Sequence, residues 1–187
     1  MIVFIINGAP RSGKDTFIDY LRDVTGETVL AFSSIDWVKE MAFKLGWDGV
    51  KDTKGRAFCS EIKDACTKYN DKPFKTILEG MAKTHTRNYP YFATNIREPS
   101  EISKLENYCI RNGIPCYSIW IRNFKAEEKA KSLDNTGDTQ YMNHTYSYQV
   151  RNHYTLGDYK NNVETLIGVI KEKHVHNDSR SNQIEEE

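Results

Sequence analysis

GAPRSGKDT, running from Gly8 to Thr16, stands between an apolar run, Ile2 to Ile6 (IVFII), and a segment patterned as a helix, Asp15 to Asp23. Gly8 and Gly13 bracket four residues and Lys14 follows, which gives the spacing G-x-x-x-x-G-K. Strand, glycine-rich turn and helix in that order suit a loop that wraps phosphate. Such a turn aims successive backbone N–H groups inward at an anion. The helix that follows adds its unsatisfied N–H groups and the positive end of its dipole. Lys14 supplies a full charge able to reach terminal phosphates. The residues expected to hold a nucleotide are therefore Gly8, Ala9, Pro10, Arg11, Ser12, Gly13, Lys14, Asp15 and Thr16.

The residue after such a lysine is usually Ser or Thr, whose hydroxyl binds magnesium. Here it is Asp15, and the hydroxyl comes one residue later at Thr16. A carboxylate is an acceptable hard oxygen ligand for magnesium, directly or through water. Asp15 is thus a candidate metal ligand.

With 187 residues the chain fits one domain, and 39% hydrophobic content supports a core. Lys plus Arg and Asp plus Glu both number 26, so the net charge is zero. This weighs against a nucleic-acid coat or a membrane-surface protein, both of which need positive charge in excess. The four cysteines, Cys59, Cys66, Cys109 and Cys116, form no C-x-x-C pair. The apolar start is too short for export or for spanning a bilayer. A cytoplasmic protein with reduced thiols is expected.

Beyond the loop the pattern alternates. Glu27 to Phe32 reads as a strand, and a helix with Trp37, Met41 and Leu45 at helical spacing follows a turn at Ser33 and Ser34, with Ser34 or Asp36 as its cap. After a loop, Gly46 to Gly55, two helices are expected, Arg56 to Tyr69 and Pro73 to about Lys83, with no strand between them. Strands follow at Tyr89 to Thr94 and Ile114 to Ile121, separated by a helix from Ser100 to Asn112. A Lys- and Glu-rich helix, Phe124 to Leu133, leads to a polar loop, Asp134 to Thr139. Thr145 to Val150 reads as an edge strand and Asp158 to His174 as the closing helix. The expected fold is α/β: three layers, with a mostly parallel sheet flanked by helices. We expect one domain over 1–174, with a helical acceptor-binding region at 34–88 and a lid at 123–144. Residues 175–187 are expected to form a flexible tail.

Ligands of such sheets lie outside the carboxyl ends of the strands. That rim should gather Gly8 to Thr16, Ser33 to Lys39, Asn95 to Arg97 and Arg122. Asn95 ends an apolar strand, where its amide can bond a magnesium-bound water. Arg97 can grip a phosphate bidentately. Ser33, Lys39 and Arg56 are candidate substrate ligands beside the helical region. Arg122 ends the strand IPCYSIWI, where a base or phosphate would lie. Lys125, Lys129 and Lys131 follow it with the cations a closing lid needs. His144, His153 and His174 lack metal-ligand spacing and read as structural.

GAPRSGKDT, then FSSIDWVKEMA, then FATNIREPSE, resembles the small P-loop kinases that include phage deoxynucleoside-monophosphate kinases and animal-type phosphomevalonate kinases. The matching positions are Gly8, Ser12, Gly13, Lys14 and Asp15; Ser33 and Lys39; and Arg97 with Glu101. DTKGRAF, Asp52 to Phe58, and the helix after TYSYQVRN, with Asn152, are also similar, and the likeness extends to about Lys173. The departure is Asn95, where that family has Asp. The resemblance implies the P-loop NTPase fold, ATP and Mg2+ as cofactors, and a phosphorylated small molecule as acceptor. A (deoxy)nucleoside monophosphate comes first and phosphomevalonate second; a nucleotide-binding protein with degenerate activity is the alternative that Asn95 motivates. Lys14, Arg97 and Arg122 would be catalytic, and Asp15 and Asn95 would hold the metal. No nucleic acid or membrane partner is expected, and the oligomeric state is open, a homodimer included.

Overall fold

The computed structural model describes residues 1–33, 35–50, 52–131 and 139–184, with side chains as far as His174. Its centre is a sheet of five parallel strands in the order β2-β3-β1-β4-β5. These are β1 (Ile2–Asn7), β2 (Val29–Ser33), β3 (Tyr91–Asn95), β4 (Cys116–Arg122) and β5 (Tyr148–Arg151). The near-continuous apolar runs of β1, β3 and β4 follow from this placement, because a central parallel strand is covered on both faces.

Alternate residues face opposite layers, the period-2 consequence of a pleated strand. Phe4 and Ile6 of β1, Ala93 of β3 and Ile119 and Ile121 of β4 pack on α1 (Lys14–Thr25) and α7 (Leu156–Ile184). Val3, Ile5 and Phe92 face α4 (Lys72–Thr86) and α5 (Pro99–Arg111). Phe17, Leu21, Ile102 and Leu105 are wholly buried, and each such side chain stabilises the fold by about 1.5–3 kcal/mol. The result is the three-layer α/β architecture read from the sequence.

α2 (Asp36–Lys44) and α3 (Thr53–Asn70) stand beside this sandwich around a smaller core of Val38, Ala42 and Cys59. α3 begins three residues before the expected Arg56. Asp52 caps it by accepting the Gly55 N–H at 2.7 Å, so Gly55 belongs to the first turn and not to the loop. Ser33 is the last strand residue of β2, not a turn residue. Ser34, weighed as a cap for α2, lies outside the described residues, and Asp36 sits in that helix's first turn without capping it. β4 starts at Cys116, two residues later than the expected Ile114 and directly after Pro115, which has no N–H for the ladder. α6 (Phe124–Lys131) is followed by a 3-10 turn, Gln140–Asn143; most of the expected polar loop between them lies outside the described residues. α7 is helical to Ile184, past His174, with no Gly or Pro over that stretch to stop it.

All four cysteines are free thiols. No helix among the described residues is long and apolar enough to cross a membrane.

Candidate functional site

The carboxyl ends of the strands share one edge of the sheet. Ser33 registers with Asn95, Asn95 with Ile6, Asn7 with Trp120 and Arg122 with Arg151. The Gly8–Gly13 turn leaves β1 at the middle of that edge and enters α1.

Two glycines give the turn its shape. Gly8 has φ 145° and Gly13, the N-cap of α1, has φ 98°, backbone that L residues avoid. A Cβ on Gly8 would stand 2.5 Å from the Ile121 carbonyl oxygen, and one on Gly13 would stand 2.5 Å from Asn152 Nδ2. Arg11, at the exposed tip, also has positive φ, 64°. The backbone is therefore held in a tight curl that only this residue pattern permits.

The curl is pinned from three sides. Asn7 is 1% exposed; its Oδ1 accepts the Gly8 N–H at 2.8 Å. Asn152, just after β5, donates from Nδ2 to the Ser12 carbonyl at 2.9 Å. Tyr159 of α7 donates its hydroxyl to the Gly13 carbonyl at 2.9 Å. Burial pushes the Tyr159 phenol well above its ordinary range, so it stays a donor. Lys14 Nζ lies back over the turn, 3.0 Å from the Gly8 carbonyl oxygen and 2.9 Å from that of Ala9. An ammonium, a helix N-terminus and a glycine turn thus meet in one place, and that donor set fits a polyphosphate. Asp15 and Thr16 are in the first turn of α1, Asp15 exposed.

Asn95 closes β3 on the same face as Ile6, the face that α1 covers. Its Oδ1 is buried and has no hydrogen-bond partner among the described residues. An orphaned buried acceptor suits a water of a metal's hydration shell, so with Asp15 the residues present fit a magnesium ion. Among the described residues no three His, Cys, Asp or Glu cluster as a dedicated metal cage.

The other sequence-derived candidates divide. Arg97 is exposed two residues beyond β3, and its carbonyl accepts from Asn7 Nδ2 at 3.1 Å, which joins its turn to the glycine loop. Ser33 sits at the end of β2 in register with Asn95. Lys39 is on α2 and pairs with Asp36 at 2.9 Å. Arg56 is exposed in the first turn of α3, in the α2–α3 unit and not on the strand edge. Arg122 is on the edge but engaged: its Nε and Nη2 reach the two carboxylate oxygens of Glu127 at 2.8 and 3.1 Å. The guanidinium lies 4.1 Å from the Trp120 ring centroid and 5.7 Å from that of Phe124. Phe124 in turn stacks on His153 at 3.9 Å. Burial lowers the His153 pKa, so its ring is neutral at pH 7. This flat, half-apolar ledge suits an aromatic base more than an anion.

Asn7, Glu127, Tyr146 and Tyr159 were not singled out by the sequence. Their partners lie up to 146 positions away, and no local spacing encodes such a contact. The one available signal was Asn7 itself, an amide at the end of an otherwise apolar strand.

No family model and no curated protein sequence matches this chain. Solved structures do. A kinase candidate from Chloroflexus aurantiacus J-10-fl superposes with TM-score 0.51 at 12% identity, covering 91% of this chain and 96% of that one. An unliganded sugar kinase from Janibacter sp. HTCC2649 superposes with TM-score 0.52 at 9% identity, covering 90% and 95%. At these identities the likeness shows the fold alone: a parallel α/β sheet flanked by helices, shared over about nine-tenths of the chain.

Proposed function

We propose that this protein is an ATP- and magnesium-dependent kinase that transfers a phosphoryl group to an already phosphorylated small molecule, with a (deoxy)nucleoside monophosphate as the favoured acceptor and phosphomevalonate as the second candidate. The observation that carries the reading is the glycine turn, which cannot accept a Cβ at either end and opens onto the α1 N-terminus under the Lys14 ammonium.

The chain's own groups would act mainly by position and charge. Backbone amides of the turn and of α1 hold the donor phosphates. Lys14 neutralises the group in transit. Asp15, with Asn95 through water, would hold magnesium, whose chemistry is to neutralise charge on the donor phosphates. The ledge of Trp120, Arg122, Phe124 and His153 receives the base. Arg97, Lys39, Ser33 and Arg56 meet the acceptor as α2–α4 and the 123–144 lid close on it.

The test is incubation with ATP, magnesium and a panel of nucleoside monophosphates and phosphomevalonate, reading ADP and the matching diphosphate. One acceptor should release ADP in step with its own phosphorylation, and Lys14→Ala should fold normally yet lose that transfer by several decades. A Lys14→Ala enzyme with full activity would refute the assignment. Tight ATP binding with no acceptor-dependent ADP would favour the second reading, a nucleotide-binding protein of degenerate activity, which rests on the amide of Asn95 replacing a carboxylate.

A further inference from the structure

Asn7 is buried at the end of β1, and its side chain bonds three segments that are far apart in sequence. Oδ1 accepts the Gly8 N–H at 2.8 Å. Nδ2 donates to the Arg97 carbonyl at 3.1 Å and to the Tyr146 hydroxyl at 2.9 Å. The Tyr146 hydroxyl then donates to the Tyr141 carbonyl at 2.9 Å, in the 3-10 turn that follows the 132–138 stretch. Tyr141 is 2% exposed and packs with Ala9 of the glycine loop and Ala130 of α6. Trp120 stands beside both tyrosines, with ring centroids 5.7 Å away in each case.

An amide offers two N–H donors and a carbonyl acceptor from one short side chain, the set these three bonds use. Its bonds join the phosphate loop, the turn bearing Arg97 and the 139–146 segment. Packing alone would be served as well by leucine. Buried polar side chains bonded to several elements instead fix those elements in one mutual arrangement.

We propose that Asn7 and Tyr146 are positioning residues that set the 139–146 segment, the glycine loop and the Arg97 turn in register, so that donor and acceptor are aligned for transfer. This rests on the kinase reading above. It goes beyond it in assigning the coupling to two residues outside the phosphate-binding motif. Both are neutral: burial pushes the Tyr146 phenol above its ordinary range, and Asn7 does not titrate. The relay is therefore independent of pH across the neutral range.

Two variants dissect it. Tyr146→Phe keeps the ring and removes both hydroxyl bonds. Asn7→Asp keeps an acceptor for the Gly8 N–H and removes the donor to Arg97 and Tyr146. With the acceptor found in the panel, Tyr146→Phe should lower kcat about tenfold while the KM for ATP stays within about twofold. Asn7→Asp should also raise the acceptor KM, because the Arg97 turn is released. The double variant should lose less than the product of the two single losses, since both act through one bond. Hydrogen exchange supplies a readout that needs no turnover. In the wild type, added ATP should protect both the glycine-loop peptide and the 140–146 peptide; in Tyr146→Phe it should protect only the first. Wild-type kcat in Tyr146→Phe, or losses that disappear on cooling below its melting transition, would overturn the relay while leaving the kinase reading intact. No ATP protection of the loop in the wild type would overturn both.

Discussion

The glycine loop and the cations around the acceptor side are built in different ways. The loop is pinned by Asn7, Asn152 and Tyr159, all from other elements, and two of its residues have no room for a side chain. Lys39 pairs with Asp36 on its own helix, Arg56 is exposed on α3, and Arg97 is exposed beyond β3. The difference follows from the chemistry proposed. A triphosphate has one shape whatever the acceptor, so its cradle is rigid and over-determined. On that proposal an acceptor has to enter and be sorted, which suits candidate cations carried on helices and turns outside the loop.

The largest way to break this comparison is at Gly8. A Cβ there meets the backbone carbonyl of Ile121, which belongs to a core strand and has nowhere to go. Gly8→Ala should cost about 3 kcal/mol of stability from strain and overpacking together and abolish nucleotide binding, seen by denaturant melts and by ATP titration. Gly26, the left-handed cap of α1, is the control. Its φ is 66° but nothing lies within 4 Å of an added Cβ. Gly26→Ala should cost only about 1 kcal/mol and leave binding intact. Equal losses in the two variants would mean that backbone strain, and not the closed cradle, governs the loop.

The acceptor side should respond in the opposite sense. Lys39→Ala removes an exposed i,i+3 pair with Asp36, so stability should change by less than about 0.5 kcal/mol. The acceptor KM should rise about tenfold, the value of one charge-assisted bond to phosphate, with ATP KM unmoved. Steady-state kinetics with each substrate varied in turn check this. A rise in ATP KM instead would place Lys39 on the donor side and erase the distinction.

The same division decides what could be read from sequence. The donor loop is contiguous: nine residues, a strand before and a helix after, each with a local physical signature. The sheet was legible for the same reason, since parallel strands buried on both faces are nearly continuous apolar runs, as IVFII is and as YSIWI is but for Ser118. What sequence could not show is contact across the chain. Nothing near Arg122 announces that Glu127 grips its guanidinium from inside α6, because that helix reads as solvated Lys and Glu. Glu127 is 8% exposed, and it changes Arg122 from an open fork into part of an aromatic ledge. α3 started early because an Asp cap three residues ahead of Gly55 outweighed the three-glycine loop signal.

The smallest expected effect lies where the two sides meet, at the turn from β3 into α5. Glu98 and Glu101 are three residues apart and shift in opposite directions. Burial raises the Glu98 pKa, but Lys63 of α3, through charge and hydrogen bond, more than reverses it, and the net shift is downward. Burial dominates at Glu101 and the net shift is upward. A folded-state pKa below the unfolded one stabilises at neutral pH, and that contribution is lost as pH falls through the folded value. Glu98→Gln should therefore lower stability at pH 7 by less than about 1 kcal/mol, since the Glu98 side chain is 36% exposed. The loss should vanish in acid, below the ordinary carboxylate range. Glu101→Gln should do the reverse: its ionised form is disfavoured by the fold, so the amide should leave stability at pH 7 unchanged or slightly higher. Urea melts of both variants at pH 7 and in acid separate the cases. If both lost stability alike at pH 7, Lys63 would not be the group that holds α3 against the Arg97 turn, and the acceptor side would be looser than its ion pairs suggest.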